Sequence, residues 1–143
     1  MDENELETER FGCEAGLRIV VQVPEAHERD IRDAVVAEAA LSWGDYDRVS
    51  FTTRSGTQRF RSLGTGHNAA TPDTVEVECV ELSFFLASDA PLAKGVLHAI
   101  YAAHPYEEPV VFVTPCLRTR HVRGTDEDNP NRFWNRSDVD WAP

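Results

Sequence analysis

The stretch Ala103-His104-Pro105-Tyr106-Glu107-Glu108-Pro109 decides how the chain folds, because a helical pattern stops inside it and the apolar run Val110-Val111-Phe112-Val113 begins directly after it. Pro105 has no amide for a continuing helix and biases His104 toward extended dihedrals, so the helix is predicted to end at about His104. Pro109 suits the first residue of a strand, not a central ladder position. An imidazole, a phenol and two carboxylates lie between the two prolines. Such a concentration of polar groups at the mouth of an apolar strand is either a site or a solvent-exposed turn.

Working outward, the helix before this joint carries Leu92, Gly95, Val96, Ala99, Ile100 and Ala103 on its buried stripe, with Ser88 or Asp89 as its cap. Upstream of it Val75–Leu86 reads as a long strand. Its apolar phase shifts from Val75, Val77 and Cys79 to Val80, Leu82 and Phe84, which predicts a bulge or burial on both faces. Leu17–Val23 is a near-continuous apolar strand. Pro24 and Glu25 open a helix to about Leu41 that buries Ile31, Ala34, Val35 and Ala39, with His27 on the same stripe. After a turn at Trp43-Gly44-Asp45, residues Tyr46–Arg54 alternate as a strand that points Val49 and Phe51 into the core. Ser55–Asp73 is a long connection in which Gln58–Arg61 adds a short strand; connections beyond about 12 to 15 residues are usually functional or mobile. The predicted fold is α+β, a ferredoxin-like plait (βαββαβ) with an antiparallel sheet, two helices on one face and a long loop between the second and third strands. The adjacent apolar residues of Val110–Val113 and Phe84–Leu86 make the other face apolar too, so it calls for a partner chain or the tail as cover.

The run His104-Pro105-Tyr106-Glu107-Glu108-Pro109 resembles the small module of NIF3-like proteins (the YqfO type). The resemblance extends through Val23-Pro24-Glu25-Ala26-His27, Gly44-Asp45-Tyr46, Ser50-Phe51, Gly56-Thr57-Gln58-Arg59-Phe60 and the strand around Val80-Glu81. It implies a fold similar to that of CutA and PII proteins, whose members commonly form trimers, and a large ligand-responsive loop between the second and third strands. In full NIF3-like proteins the two-metal site belongs to flanking domains, which are absent here. The Val110–Thr114 strand departs from the more tyrosine- and aspartate-containing strand usual in the family.

A length of 143 residues corresponds to one ordinary domain. We divide it into an acidic disordered leader (1–16), the ferredoxin-like domain (17–116) and a C-terminal strap (117–143) anchored by Phe133, Trp134 and Trp141. The net charge of -11 argues against nucleic acid as a partner, because no basic patch replaces counterions on a phosphate backbone. Thirteen of the 14 basic residues are arginine and Lys94 is the one lysine, a pattern of either a salt-adapted or a merely acidic proteome. Cys13, Cys79 and Cys116 form no CxxC pair or zinc spacing; an odd number suits reduced thiols and the cytoplasm. The acidic N-terminus is unlike a signal segment, and no apolar run has membrane-spanning length.

His104 with Glu107 and Glu108, completed by His27 or His67, is a candidate set for a divalent ion (Zn, Mn, Fe, Co or Ni), since imidazoles and carboxylates are suitable ligands. The opposing reading is a structural joint. A partly buried His27 bonded to a carbonyl is likewise an alternative to a ligand. Arg59, Arg61, Gly64 and Gly66 make the long loop a candidate anion or cofactor site, although it carries neither a P-loop nor a dinucleotide fingerprint. No nucleophile elbow or HExxH motif is present. The sequence therefore supports a small cytoplasmic binding module, responsive to a ligand or metal and without catalysis, that self-associates as a trimer or dimer. A metal-dependent hydrolase-like enzyme with its site at a subunit boundary and a purely structural oligomerisation protein are the alternatives.

Overall fold

A computed structural model describes residues 2–124. The proposed anchors Phe133, Trp134 and Trp141 lie outside the described residues. The element order is a 3-10 turn (Glu3–Leu6), β1 (Phe11–Val23), α1 (Glu25–Glu38), β2 (Phe51–Thr52), β3 (Gly56–Phe60), β4 (Val75–Ala87), α2 (Ala90–Ala103) and β5 (Val111–His121). This is a ferredoxin-like α+β fold with strand order β2-β4-β1-β5, in which β3 also pairs with β4. The chain divides into two compact units, Gly16–Cys116 and a unit built from both chain ends.

In Gly16–Cys116, the antiparallel register sets Ile19 opposite Phe84, Val21 opposite Leu82 and Val23 opposite Val80, which brings these six side chains to one face of the sheet. They form a single cluster with Ile31 and Val35 of α1 and Val96 and Ile100 of α2, so both helices cover that face. Ile19, Val21, Val23, Ile31, Leu82, Val96 and Ile100 are fully buried. Each such side chain contributes about 1.5 to 3 kcal/mol of transfer free energy. The Asp89 carboxylate accepts the Leu92 N–H at 3.0 Å and caps α2. Pro91 then occupies the first turn, where its missing amide costs nothing.

Helix α1 stops at Glu38, short of the predicted Leu41. Leu41 takes a left-handed conformation (φ 51°) while its side chain remains in the core. That kink lets the Arg48 and Val49 amides donate back to the Ala40 and Leu41 carbonyls at 2.7 and 2.9 Å, closing the excursion through Trp43. The second strand shrinks accordingly to Phe51–Thr52, and the expected inward orientation of Phe51 is reversed. Phe51 pairs with Ser83 on the face away from the helices and is 67% exposed, whereas the Thr52 hydroxyl reaches Glu28 of α1 at 3.0 Å. Val49 is only half-buried.

The phase break in β4 has two causes. Gly56 pairs with Cys79 but Thr52 with Leu82, so the β2/β3 side takes four steps where β4 takes three, which places a bulge at Thr53–Ser55. Beyond Cys79, β4 is flanked by β1 as well as β2, so Phe85 is buried on the helix-free face while Phe84 and Leu86 are buried under the helices. Trp43 contributes to that cover, its ring meeting Phe85 edge-on at 6.3 Å.

Strand β5 extends to His121, beyond the predicted Val113. Gln22 donates its N–H to the Val110 carbonyl at 3.0 Å; counting by twos from Val110, Pro115 falls where its missing amide faces away from β1. An edge strand tolerates proline there. In the unit of the chain ends, residues expected to be a loose leader hold the 3-10 turn and the start of β1. Val122 donates to the Arg10 carbonyl at 2.9 Å, and Arg118 holds Glu14 at 2.9 Å. No described helix is long and apolar enough to cross a membrane.

Candidate functional site

The His104–Pro109 joint folds around its histidine. His104 ends α2 with extended dihedrals, and its N–H still reaches the Ile100 carbonyl at 2.9 Å. The ring is turned inward and only 7% exposed. The Tyr106 N–H lies 3.0 Å from Nδ1, and a backbone amide can only donate, so Nδ1 accepts. The ring proton therefore sits on Nε2 and is donated to the Gln22 carbonyl at 2.8 Å. Burial pushes the His104 pKa below its ordinary value against the opposing pull of the Gln22 carbonyl, and nearby His27 lowers it further. His104 is a neutral cross-brace between the joint and β1, with both ring nitrogens engaged.

A second set of bonds runs from the joint across the helix-free face. Tyr106, its ring tilted against His104 at 5.0 Å, brings its hydroxyl to within 3.9 Å of the Cys79 Sγ. Burial first, and then its bond to Cys79, raise the phenol to about 12, so it stays protonated near neutrality. The other end of the chain of bonds fixes its direction. The Glu81 carboxylate accepts from Gln22 Nε2 at 3.2 Å, which turns Gln22 Oε1 toward Gln58 Nε2 at 2.9 Å. Gln58 Oε1 is then the acceptor for the Cys79 thiol at 3.8 Å, leaving the sulfur to accept from Tyr106. Every donor from Tyr106 onward points toward Glu81.

Gln22, Gln58, Cys79 and Glu81 wall an open cleft of about 380 Å³, whose lining continues with Thr53, Arg54, Gly56 and Thr57. The bulge builds its rim: Thr53 donates its N–H to the Glu81 carbonyl at 3.0 Å, and its hydroxyl accepts the Glu81 N–H at 2.9 Å. Arg54 follows directly and is exposed, with no hydrogen bond or ion pair among the described residues.

The residues expected to bind metal or an anion are distributed differently. Glu107 accepts the His67 N–H at 3.1 Å, and a side chain at Gly66 would crowd the same carboxylate. The glycine-bearing loop thus does take up an anionic group, and that group is the chain's own Glu107. Gly64 (φ 79°) turns the loop back on Ser62, whose N–H and carbonyl bond Thr71 at 2.9 and 3.0 Å. Arg59 is held by Glu76 at 3.0 Å across the β3–β4 pair, and Arg61 is exposed. The His67 and Glu108 side chains are exposed. His27 is exposed as well, a correction to its expected place on the buried stripe of α1. Glu28 turns inward instead, with Arg32 at 2.9 Å and Thr52 at 3.0 Å.

The set His104, Glu107, Glu108, His27 and His67 is therefore not assembled. Among the described residues no group of three or more His, Cys, Asp and Glu side chains could hold a metal ion. His104 offers no unengaged nitrogen, so the donor set does not fit the divalent ion expected of it. Sequence reasoning missed Gln22, Gln58, Cys79, Glu81 and Tyr106 as one system. Its signal was faint: Gln22 and Glu81 are polar interruptions in apolar strands, and Cys79 marks the phase break.

No protein-family model and no curated protein sequence matches the chain. Solved structures do. A Bacillus cereus protein related to NIF3 superposes with a TM-score of 0.61 at 30% identity, over 73% of this chain and 26% of that one. A divalent cation tolerance protein, CutA1, from Thermus thermophilus gives a TM-score of 0.52 at 20% identity, over 71% of this chain and 84% of that one. The chain is related in fold to NIF3 and CutA proteins. CutA1 from the psychrotrophic bacterium Shewanella agrees, with a TM-score of 0.53 at 16% identity over 72% of this chain and 81% of that one. The chain spans about a quarter of the length of the NIF3-related protein.

Proposed function

We infer that the chain is a small-ligand binding module without catalytic activity of its own, and that it self-associates. The observation that carries the reading is the cleft of about 380 Å³ backed by the directed set of bonds from Tyr106 to Glu81. Its volume lies near the lower end of the roughly 300 to 1,000 Å³ of small-molecule sites. The groups that would serve as base and nucleophile are committed elsewhere, His104 to Gln22 and Tyr106, and Cys79 to Gln58. A divalent-ion role is suggested by the name of the Thermus protein; here it would require His104 and Glu107 to leave their internal partners. Three free cysteines suit a reducing compartment such as the cytoplasm.

Self-association is supported by the helix-free face. Phe51 pairs with Ser83, Ser83 with Val20, and the Gln22–Val110 bond sets Phe112 beside Val20. This places one lateral row across β2, β4, β1 and β5, with Phe51 67% and Phe112 52% exposed at its ends. A trimer is the favoured assembly from the resemblance to CutA and PII proteins. A thermal-shift screen of untagged protein against polar metabolites and Mn, Fe, Co, Ni and Zn tests the ligand reading. A stabilising compound whose effect disappears in Thr57→Trp, which fills the cleft, is expected. No stabilising compound, or one indifferent to Thr57→Trp, would overturn it.

A further inference from the structure

Two unlike charges face the same cleft without meeting each other. Glu81 uses one carboxylate oxygen for Gln22, and among the described residues no bond reaches its second oxygen. Arg54, one residue beyond Glu81's backbone partner Thr53, has no acceptor among the described residues. Among the described residues the cleft is lined by no other charged side chain, so these walls are a donor fork and an acceptor with a net charge of zero.

This arrangement selects its ligand by charge. An unpaired guanidinium binds a carboxylate through parallel N–H donors, and a half-buried carboxylate binds an ammonium through a charge-assisted hydrogen bond. A simple anion would satisfy Arg54 but meet Glu81, and it would approach a chain of net charge -11 against the long-range field. A simple cation would satisfy Glu81 and leave Arg54 facing it. A zwitterion satisfies both and has no net charge to be repelled. The thiol-amide wall of Cys79, Gln58 and Thr57 is then left for the remainder of a small molecule.

Resting on the cleft reading above, the geometry points to an α-amino acid as the ligand, its carboxylate on Arg54 and its ammonium on Glu81. Isothermal titration calorimetry with each of the common amino acids tests this, and every binder is repeated as its deaminated acid and its decarboxylated amine. At least one amino acid binds, and each analogue binds about tenfold or more weakly, the usual loss for a charged hydrogen bond. Glu81→Gln, whose amide oxygen still accepts from Gln22, weakens the amino acid but not the deaminated acid. Arg54→Gln weakens the amino acid but not the amine. Unchanged thermal melts show that both variants keep the fold. No amino-acid binding, equal binding of the analogues, or unchanged affinity in both variants overturns the assignment. A different metabolite lost in Thr57→Trp, with no amino acid bound, refutes this inference and leaves the cleft reading standing.

Discussion

Replacing His104 with alanine removes a brace that nothing else in the joint supplies. The Gln22 carbonyl loses its donor and the Tyr106 N–H its acceptor, both in a part-buried setting. An unsatisfied buried polar group costs about 1 to 3 kcal/mol, so the pair costs roughly 2 to 6 kcal/mol. That is a large share of the roughly 5 to 15 kcal/mol by which a domain is stable. Urea unfolding followed by circular dichroism at pH 7.5 should show the loss as a lower midpoint with an unchanged slope. His27→Ala, at an exposed position, should change stability by less than about 0.5 kcal/mol. The pH dependence has a definite sign. With the folded pKa below the ordinary 6.5, the unfolded chain takes up the proton first on acidification. His104's contribution is complete above about 6.5 and is lost as pH falls below that value, so the wild type weakens from pH 7.5 to 5.5 more steeply than the variant. A loss below about 1 kcal/mol at pH 7.5, or parallel pH profiles, would refute the brace.

Glu107→Ala should release the loop that its carboxylate holds at His67, raising amide exchange across residues 63–68 in hydrogen-exchange mass spectrometry while β4 stays protected. Gly16→Ala would drive a methyl group into the Phe85 ring and the Leu86 carbonyl, so a loss of about 1 to 3 kcal/mol is expected in the same urea assay. Glu28→Gln tests the inward carboxylate: burial raises its pKa, but the bonds from Arg32 and Thr52 outweigh it and leave the pKa below 4.5. Its stabilisation is present above 4.5 and lost as pH falls toward the folded value, so the variant's stability should fall less steeply in acid. Light scattering coupled to size exclusion should find an oligomer, a trimer above a dimer, that strengthens with salt as the charge of -11 is screened; Phe51→Glu with Phe112→Glu should return it to monomer.

The fold was legible because its signals are periodic. The stripes of α1 and α2, the near-continuous apolar run of β1 and the shifted apolar phase of β4 follow directly from the burial they achieve, and Pro105 and Asp89 bound α2 by local chemistry. Phe51 was placed on the wrong face because a two-residue strand followed by a bulge has no period to read, and its parity is set by pairing with Ser83. The far half of β5 was missed because Pro115 argues against a strand unless its edge position is known. The site was less legible. The joint stood out by composition, but composition cannot say that Nδ1 and Nε2 of His104 are both engaged, nor that Glu107 turns to the His67 amide. Those contacts join residues up to 82 positions apart. The cleft depends on the same kind of long-range meeting, since Gln22, Gln58 and Glu81 come from three different strands.

The most direct measurement of the cleft reading is a proton–nitrogen NMR titration of the Gln22 and Gln58 side-chain amides with the compound that stabilises the protein. Binding in the cleft predicts that both amide pairs shift and saturate together with the stabilisation, while the loop amides around His67 stay in place. Unmoved Gln22 and Gln58 signals at saturation, with shifts at residues 61–71 instead, would contradict it.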